Sequence, residues 1–151
     1  MEIVAYTSKY ALIFKQLNLA WLEKYFYVEP HDEEVLSKPE KYIINPGGHI
    51  FFAKEKNEIL GTVALIPMQP KIFELSKMAV DPKFQGKGGG QRLMAHCIAF
   101  AKANTFDKLV LYSNTKLENA IYIYRKSGFI EVPLEKDGIY DRGNIKMELK
   151  L

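Results

Sequence analysis

The densest chemistry in this sequence lies in the run Val80-Asp81-Pro82-Lys83-Phe84-Gln85-Gly86-Lys87-Gly88-Gly89-Gly90-Gln91-Arg92-Leu93. Four glycines within five positions let a backbone approach a ligand closely. The residues after them have the pattern of a helix. Its first turn offers amides without intrahelical acceptors and the positive end of the helix dipole, a combination that favours phosphate. Lys87 and Arg92 add positive charge. Two familiar phosphate loops fit badly. Lys87 is followed by Gly88 rather than the Ser or Thr of a P-loop, and the third glycine of a dinucleotide fingerprint falls on Gln91. An anion site is the expectation, weighed against a merely flexible connection.

Charge is unevenly placed. Lys77, Lys83, Lys87 and Arg92 face a single acid, Asp81, within that region, whereas Glu29 to Glu40 holds five acids and one lysine. Two sites of opposite preference are one reading, and two solvated faces are the other. The whole chain carries only +3, and its basic residues form one short segment rather than a stripe, which argues against nucleic-acid binding. The lone Cys97 excludes an internal disulfide and any multi-cysteine metal site, and it sits on an apolar helix face. His31, His49 and His96 lack paired ligand spacing, so no metal is expected. No apolar run is long enough to span a membrane, and the N-terminus lacks a secretion signal, so a reducing cytoplasm is the expected compartment.

These side chains need a framework. The 151 residues, 48% hydrophobic and 26% charged, suit one continuous soluble domain over residues 1–151. Glu2–Tyr6 reads as a strand. Tyr10, Ile13, Phe14, Leu17, Trp21 and Tyr25 recur at the spacing of one helix face. A short helix over His31–Lys38 stops at Pro39, and Asn45-Pro46-Gly47-Gly48 is a loop. Strands follow at His49–Lys54, Ile59–Ile66 and Ile72–Val80. Strict alternation in the last puts Glu74, Ser76, Met78 and Val80 on one face and Phe73, Leu75, Lys77 and Ala79 on the other. A helix runs from the glycines to about Asn104, burying Leu93, Met94, Cys97, Ile98 and Ala101. Leu109–Tyr112 is an apolar, central strand. Thr115 and Glu118 have the spacing of a capping box, and the helix they start ends at Gly128 with a left-handed cap before Phe129. Strands at Phe129–Val132 and Ile145–Leu149 finish a layered α/β or α+β domain with a mixed sheet.

Two segments together resemble the GNAT superfamily of N-acetyltransferases. Gln85-Gly86-Lys87-Gly88-Gly89-Gly90 is similar to that family's Gln/Arg-x-x-Gly-x-Gly/Ala signature, flanked by Met78-Ala79-Val80-Asp81-Pro82 and by Leu93-Met94. Asn119-Ala120-Ile121-Tyr122-Ile123-Tyr124-Arg125-Lys126-Ser127-Gly128-Phe129 resembles its late helix. The resemblance covers residues 49–132, while the first third matches in element order alone. Gly89 departs from it, standing where the family usually has an aliphatic residue.

The resemblance implies a mixed, mostly antiparallel sheet flanked by helices, with a parallel, splayed strand pair forming an acetyl-CoA cleft. It implies acetyl-CoA as donor, with the pyrophosphate on the amides from Gln85 to Gln91 (Gln85, Gly86, Lys87, Gly88, Gly89, Gly90 and Gln91). The pantetheine arm would pair with the main chain of Met78, Ala79 and Val80, and Asn114, Asn119 and Lys126 are further contact candidates. Transfer needs a free amine, a stabilised oxyanion and a proton for the leaving thiolate. Tyr124 matches the proton donor, although its face with Leu117, Ala120 and Ile121 also suits packing. The Met78 amide matches the oxyanion donor. Glu74 is the candidate base, or an ordinary strand-edge acid. The acceptor is a primary amine of a small molecule or a protein. Its site would involve Tyr25-Phe26-Tyr27 and Glu29-Pro30-His31-Asp32-Glu33-Glu34, whose acidic, aromatic rim would suit a cation, or would be a solvated cap beside core aromatics. The alternative function is an acyl-CoA-binding regulatory module without turnover. A homodimer is compatible with the resemblance, and no membrane partner is expected.

Overall fold

Residues 1–135 and 142–151 are described by a computed structural model. β1 (Glu2–Ala5) is followed by a 3-10 turn at Ser8–Tyr10, then α1 (Ala11–Tyr25) and α2 (Pro30–Ser37). β2 (His49–Glu55), β3 (Glu58–Gln69) and β4 (Ile72–Val80) form a meander. α3 (Gly89–Ala103), β5 (Lys108–Ser113), α4 (Glu118–Lys126), β6 (Ile130–Val132) and β7 (Ile145–Lys150) complete the chain. Among the described residues seven strands make one sheet in the order β1-β2-β3-β4-β5-β7-β6. Every pairing is antiparallel except β4 with β5, as the mixed sheet requires.

Each sheet face carries its own core. On one side Phe14 and Leu22 of α1 and Val35 and Leu36 of α2 cover Ile50, Phe52 and Ala64. On the other, Leu93, Cys97 and Ala101 of α3 cover Phe51, Val63, Leu65 and Leu75, with Phe129 and Met147 in the same cluster. Alternation along β3 sends Val63 and Leu65 one way and Ala64 the other, so one strand serves both layers. The α3 face is the one its periodicity predicts, with Ile98 only partly buried.

Three local expectations are corrected. Thr115 and Glu118 make no capping box. α4 starts two residues later, with Leu117 as its N-cap, and its approach is held by the Thr115 amide donating to Asn144 Oδ1 at 2.9 Å and the Lys116 amide donating to Asn114 Oδ1 at 2.9 Å. The reciprocal cap belongs to α2, where the Glu29 amide donates to Asp32 Oδ2 at 3.0 Å behind Pro30. Pro39 does stop α2, but the chain then winds a π-helical turn over Glu40–Ile44 that buries Ile43.

The third correction matters most for function. β4 does not alternate strictly: Ala64 faces Ser76 and Thr62 faces Ala79, so β4 spends three residues where β3 spends two. The extra residue is Lys77, whose φ of 56° lies in the left-handed region, a conformation costing a non-glycine residue about 1–2 kcal/mol. The bulge inverts the phase of the strand. Met78 packs against the α3-side core with Leu75, while Lys77 reaches Asp32 on α2. Glu74 therefore does not share a face with Met78 and Val80.

Candidate active site

Only Ile72, Phe73 and Glu74 of β4 pair with β5, opposite Lys108, Leu109 and Val110. Beyond Glu74 the two strands part, and a cleft of about 540 Å³ opens between them. The β5-facing edge of β4 from Leu75 to Val80 thus has no strand partner, and its main chain is open to an extended ligand. The glycine bend lies at one end of this cleft, α4 along one wall, and α1, α2 and Arg142 at the other end.

The bend is built as an anion cradle. Asp81 caps a 3-10 turn over Pro82–Phe84 by accepting from the Lys83 amide at 2.9 Å. Gly86 and Gly88 then take φ of 84° and 79°, which only glycine adopts without strain, and Gly88 becomes the N-cap of α3. The first intrahelical bond runs from the Arg92 amide to the Gly88 carbonyl at 3.0 Å. The amides of Gly89, Gly90 and Gln91 precede it and point outward at the helix start. Open space surrounds Gly86, Gly88 and Gly89. The cradle is narrower than Gln85 to Gln91, because the Gln85 and Lys87 amides donate to Pro82 and Phe84 carbonyls at 3.4 Å.

The four cations of the region do not act as one group. Lys83 and Lys87 lie over the Phe84 ring, at 5.5 and 5.3 Å from its centroid. Arg92 donates to the Met1 carbonyl at 3.3 Å, and Lys77 points to the far end of the cleft. Among the contact candidates, Met78, Ala79, Val80, Gln85, Gly86, Gly88, Gly89, Gly90, Gln91, Asn114 and Asn119 line the cleft. Lys87 and Lys126 lie outside that lining, Lys126 exposed in the last turn of α4. The Asn114 amide is committed at both ends, donating to the Arg142 carbonyl at 2.6 Å and accepting from Lys116.

Tyr124 combines its two readings. Its ring packs against the α3-side core and meets Phe129 edge-on at 6.1 Å, while the residue also lines the cleft. No described group bonds its hydroxyl. Burial in apolar surroundings pushes it up to about 12, so it keeps its proton at neutral pH. Across the cleft, burial pushes Glu74 above the ordinary carboxylate range, opposed by Lys77, the Ser76 hydroxyl and Arg142. Burial shifts both upward, so Tyr124 keeps its proton and Glu74, once ionised, is a stronger base than an exposed carboxylate.

The far end departs from the expected open acidic rim. Asp32 is fully buried, bonded to Arg142 through 2.7 and 2.9 Å contacts and to Lys77 at 3.3 Å. Burial by itself would raise its carboxyl; the Arg142 bonds, Lys77 and the Glu29 amide outweigh that and hold it below its usual value. Glu29 pairs with Arg142 at 2.7 Å, Glu33 with Lys15 at 3.1 Å and Glu34 with Lys38 at 2.8 Å. Negative charge from this segment is thus compensated internally. Of the expected aromatic run, Phe26 lines the cleft, with the Lys116 ammonium 4.0 Å from its ring, and Tyr25 lies outside that lining; Trp21, not part of the run, lines it too. Tyr27 instead is exposed.

Asp32, expected as part of an open acceptor rim, lines the cleft as a buried ion-pair centre, and Arg142, Lys77, Asn18 and Tyr112 line it but escaped the sequence reading as site residues. Arg142 follows no pattern that marks it, and it meets Asp32 across 110 positions. Lys77 had a signal in its charge but was placed on the wrong face by strict alternation. Cys97, wholly buried with its thiol pushed up to about 12 by burial, is core and no nucleophile. His49 and His96 pack among Phe51, Phe73 and Phe100, away from the cleft. Among the described residues no cluster of three acidic, histidine or cysteine side chains could hold a metal, and no helix is long and apolar enough to cross a membrane.

Residues 15–129 match the family model described as Acetyltransferase (GNAT) family. The chain is 27% identical over 99 residues to the N-alpha-acetyltransferase RimI of Mycobacterium tuberculosis, a match spanning 62% of this chain and 60% of that relative's length. A GNAT-family acetyltransferase from Staphylococcus aureus Mu50 superposes with a TM-score of 0.86 at 23% identity, covering 99% of this chain and 98% of that one. A Bacillus subtilis acetyltransferase solved in complex with CoA superposes with a TM-score of 0.73 at 20% identity, covering 99% and 98%.

Proposed function

The chain belongs to the acetyltransferase (GNAT) family, and on that premise we propose that it moves an acetyl group from acetyl-CoA to a primary amine by direct attack in a ternary complex. The observation that carries this reading is one cleft lined by the Gly88 helix start, the unpartnered edge of β4 and Tyr124. Its glycine end suits a diphosphate, and its open strand edge suits an extended amide-bearing arm. Bound there, acetyl-CoA supplies an activated acyl carbon and a leaving thiolate. The CoA complex of the Bacillus subtilis neighbour supports the same occupant on the same fold.

The residues divide the work. The amides of Gly89, Gly90 and Gln91 hold the diphosphate, and the main chain of Met78 to Val80 aligns the arm. Glu74 takes the proton that the acceptor amine must lose, directly or through water. The new N–C bond forms as the C–S bond breaks, and the Met78 amide donates to the oxygen that gains charge. Tyr124 gives its proton to the departing sulfur. The acceptor, from a small molecule or a protein, lies between Trp21, Phe26 and the Glu74 end of the cleft. Because the acids there are already paired, its recognition rests on aromatic surface more than on excess negative charge.

Thiol release with a panel of small amines and peptides tests this. Acetyl-CoA-dependent release with at least one amine is expected. CoA binding without turnover on any of them would favour a non-catalytic acyl-CoA-binding module.

A further inference from the structure

We propose that Asp32 is a positioning residue for acetyl transfer: by holding Lys77 and Arg142 together it fixes the β4 bulge and the approach to β7 against α2, and so sets where the acceptor meets Glu74. The inference rests on the acetyl-transfer reading above. Asp32 accepts four hydrogen bonds. Lys77 Nζ and Arg142 Nη2 reach Oδ1 at 3.3 and 2.9 Å, and Arg142 Nη1 and the Glu29 amide reach Oδ2 at 2.7 and 3.0 Å. A carboxylate has about four acceptor positions. With all of them taken and no exposed surface, Asp32 can neither bind an amine nor accept its proton, although it lines the cleft.

The network joins parts of the chain 45 and 110 positions apart, exactly where they wall the acceptor end. Stability alone does not call for it, since buried ion pairs are often no better than apolar side chains of similar volume. What it does specify is geometry. Lys77 stands at the left-handed bulge that re-aims Met78, and its side chain is anchored by Asp32. The bidentate Arg142 contact fixes an orientation as well as a distance. The groups that interact with Glu74 are Ser76 and Lys77 on its own strand, Arg142 before β7 and Tyr112 on β5, with Asp32 on α2 and Asn18 on α1 lining the same cleft. Of these, Lys77 is a nearby cation that favours the Glu74 carboxylate.

The test compares wild type with Asp32→Asn, Lys77→Met and Lys77→Arg. Near-UV circular dichroism reads folding, calorimetry reads CoA affinity, and thiol release across pH uses whichever amine wild type acetylates. Asp32→Asn is expected to keep CoA affinity within about 3-fold while kcat/KM for the amine falls about 10- to 100-fold, the scale of a displaced reacting geometry. Lys77→Met is expected to lower the rate and move the acidic limb of the profile to higher pH. Lys77→Arg should restore that limb. Folded variants that keep wild-type turnover and an unmoved limb would overturn the proposal, as would Asp32→Asn losing CoA affinity as steeply as turnover. If Asp32→Asn fails to fold, Asp32→Glu, which keeps the charge and lengthens the reach, decides: kcat/KM for the amine should fall about 10-fold with CoA affinity kept, and wild-type kinetics would overturn the proposal. Wild type that binds CoA but acetylates no amine overturns the acetyl-transfer reading itself, and this inference with it.

Discussion

At the scale of single residues, burial raises both a phenol and a carboxyl that line the cleft. Tyr124 keeps its proton far beyond neutral pH, so it is an acid throughout the working range. Tyr124→Phe removes that proton while keeping the ring that packs on Phe129; CoA affinity should be unchanged and kcat should fall by roughly 10²- to 10⁴-fold. Stopped-assay kinetics beside calorimetry would check both halves. In the proposed mechanism Glu74 acts as a base in its ionised form, and burial holds its carboxyl above the ordinary range. The rate should therefore rise with pH through a limb placed above that of a solvent-exposed glutamate. Glu74→Gln should abolish the limb and lower kcat/KM by about 100-fold, and an unchanged profile would remove Glu74 from the chemistry. Tyr124 was legible in the sequence because its spacing to Gly128 and Phe129 is local to one helix. Arg142 was not, nor was its pairing with Asp32, because an ion pair across 110 positions leaves no trace in periodicity or spacing.

At the scale of elements, the glycines divide into those the backbone requires and those it tolerates. Gly88 sits at φ 79° with open space around it, so an alanine there would be strained without clashing. Gly88→Ala is expected to cost about 1–2 kcal/mol and to weaken CoA binding by distorting the cradle. Gly89, inside the first turn of α3 and equally open, has no positive φ. Gly89→Ala should leave CoA binding intact and stabilise the fold by about 0.4–1 kcal/mol, read as a melting temperature higher by a few degrees. That contrast gives the departure at Gly89 a physical meaning: it is a cost to the helix start and no loss to the site. The strands and helices were readable because their apolar periods are strong. The β4 bulge was not, since one extra residue changes the face of everything after it while leaving composition untouched. The same limit explains the misplaced cap on α4, where Asn144, remote in sequence, bonds Thr115 instead.

At the scale of the whole molecule, the cleft follows from topology: one parallel pair within an otherwise antiparallel sheet parts after three residues and leaves a strand edge free. The mixed sheet was legible from element order, but the insertion of β7 between β5 and β6 depends on pairings that no local pattern encodes. Away from the cleft, burial among aromatic rings holds His49 and His96 below their ordinary value of 6.5. The unfolded chain then binds more protons than the folded one as pH falls through that value, so this contribution to stability is lost on acidification. Thermal melts from pH 8 to 5 should show wild type losing stability relative to a His49→Gln, His96→Gln double variant, and parallel curves would contradict the assignment. The central claim is that the helix-start amides of α3 grip a diphosphate and thereby deliver a thioester to Tyr124. Calorimetric titration of the protein with CoA and with pantetheine tests it most directly. CoA should bind far more tightly than pantetheine, with the difference largely lost in Gly88→Ala; equal affinities, or no binding of CoA, would contradict the account.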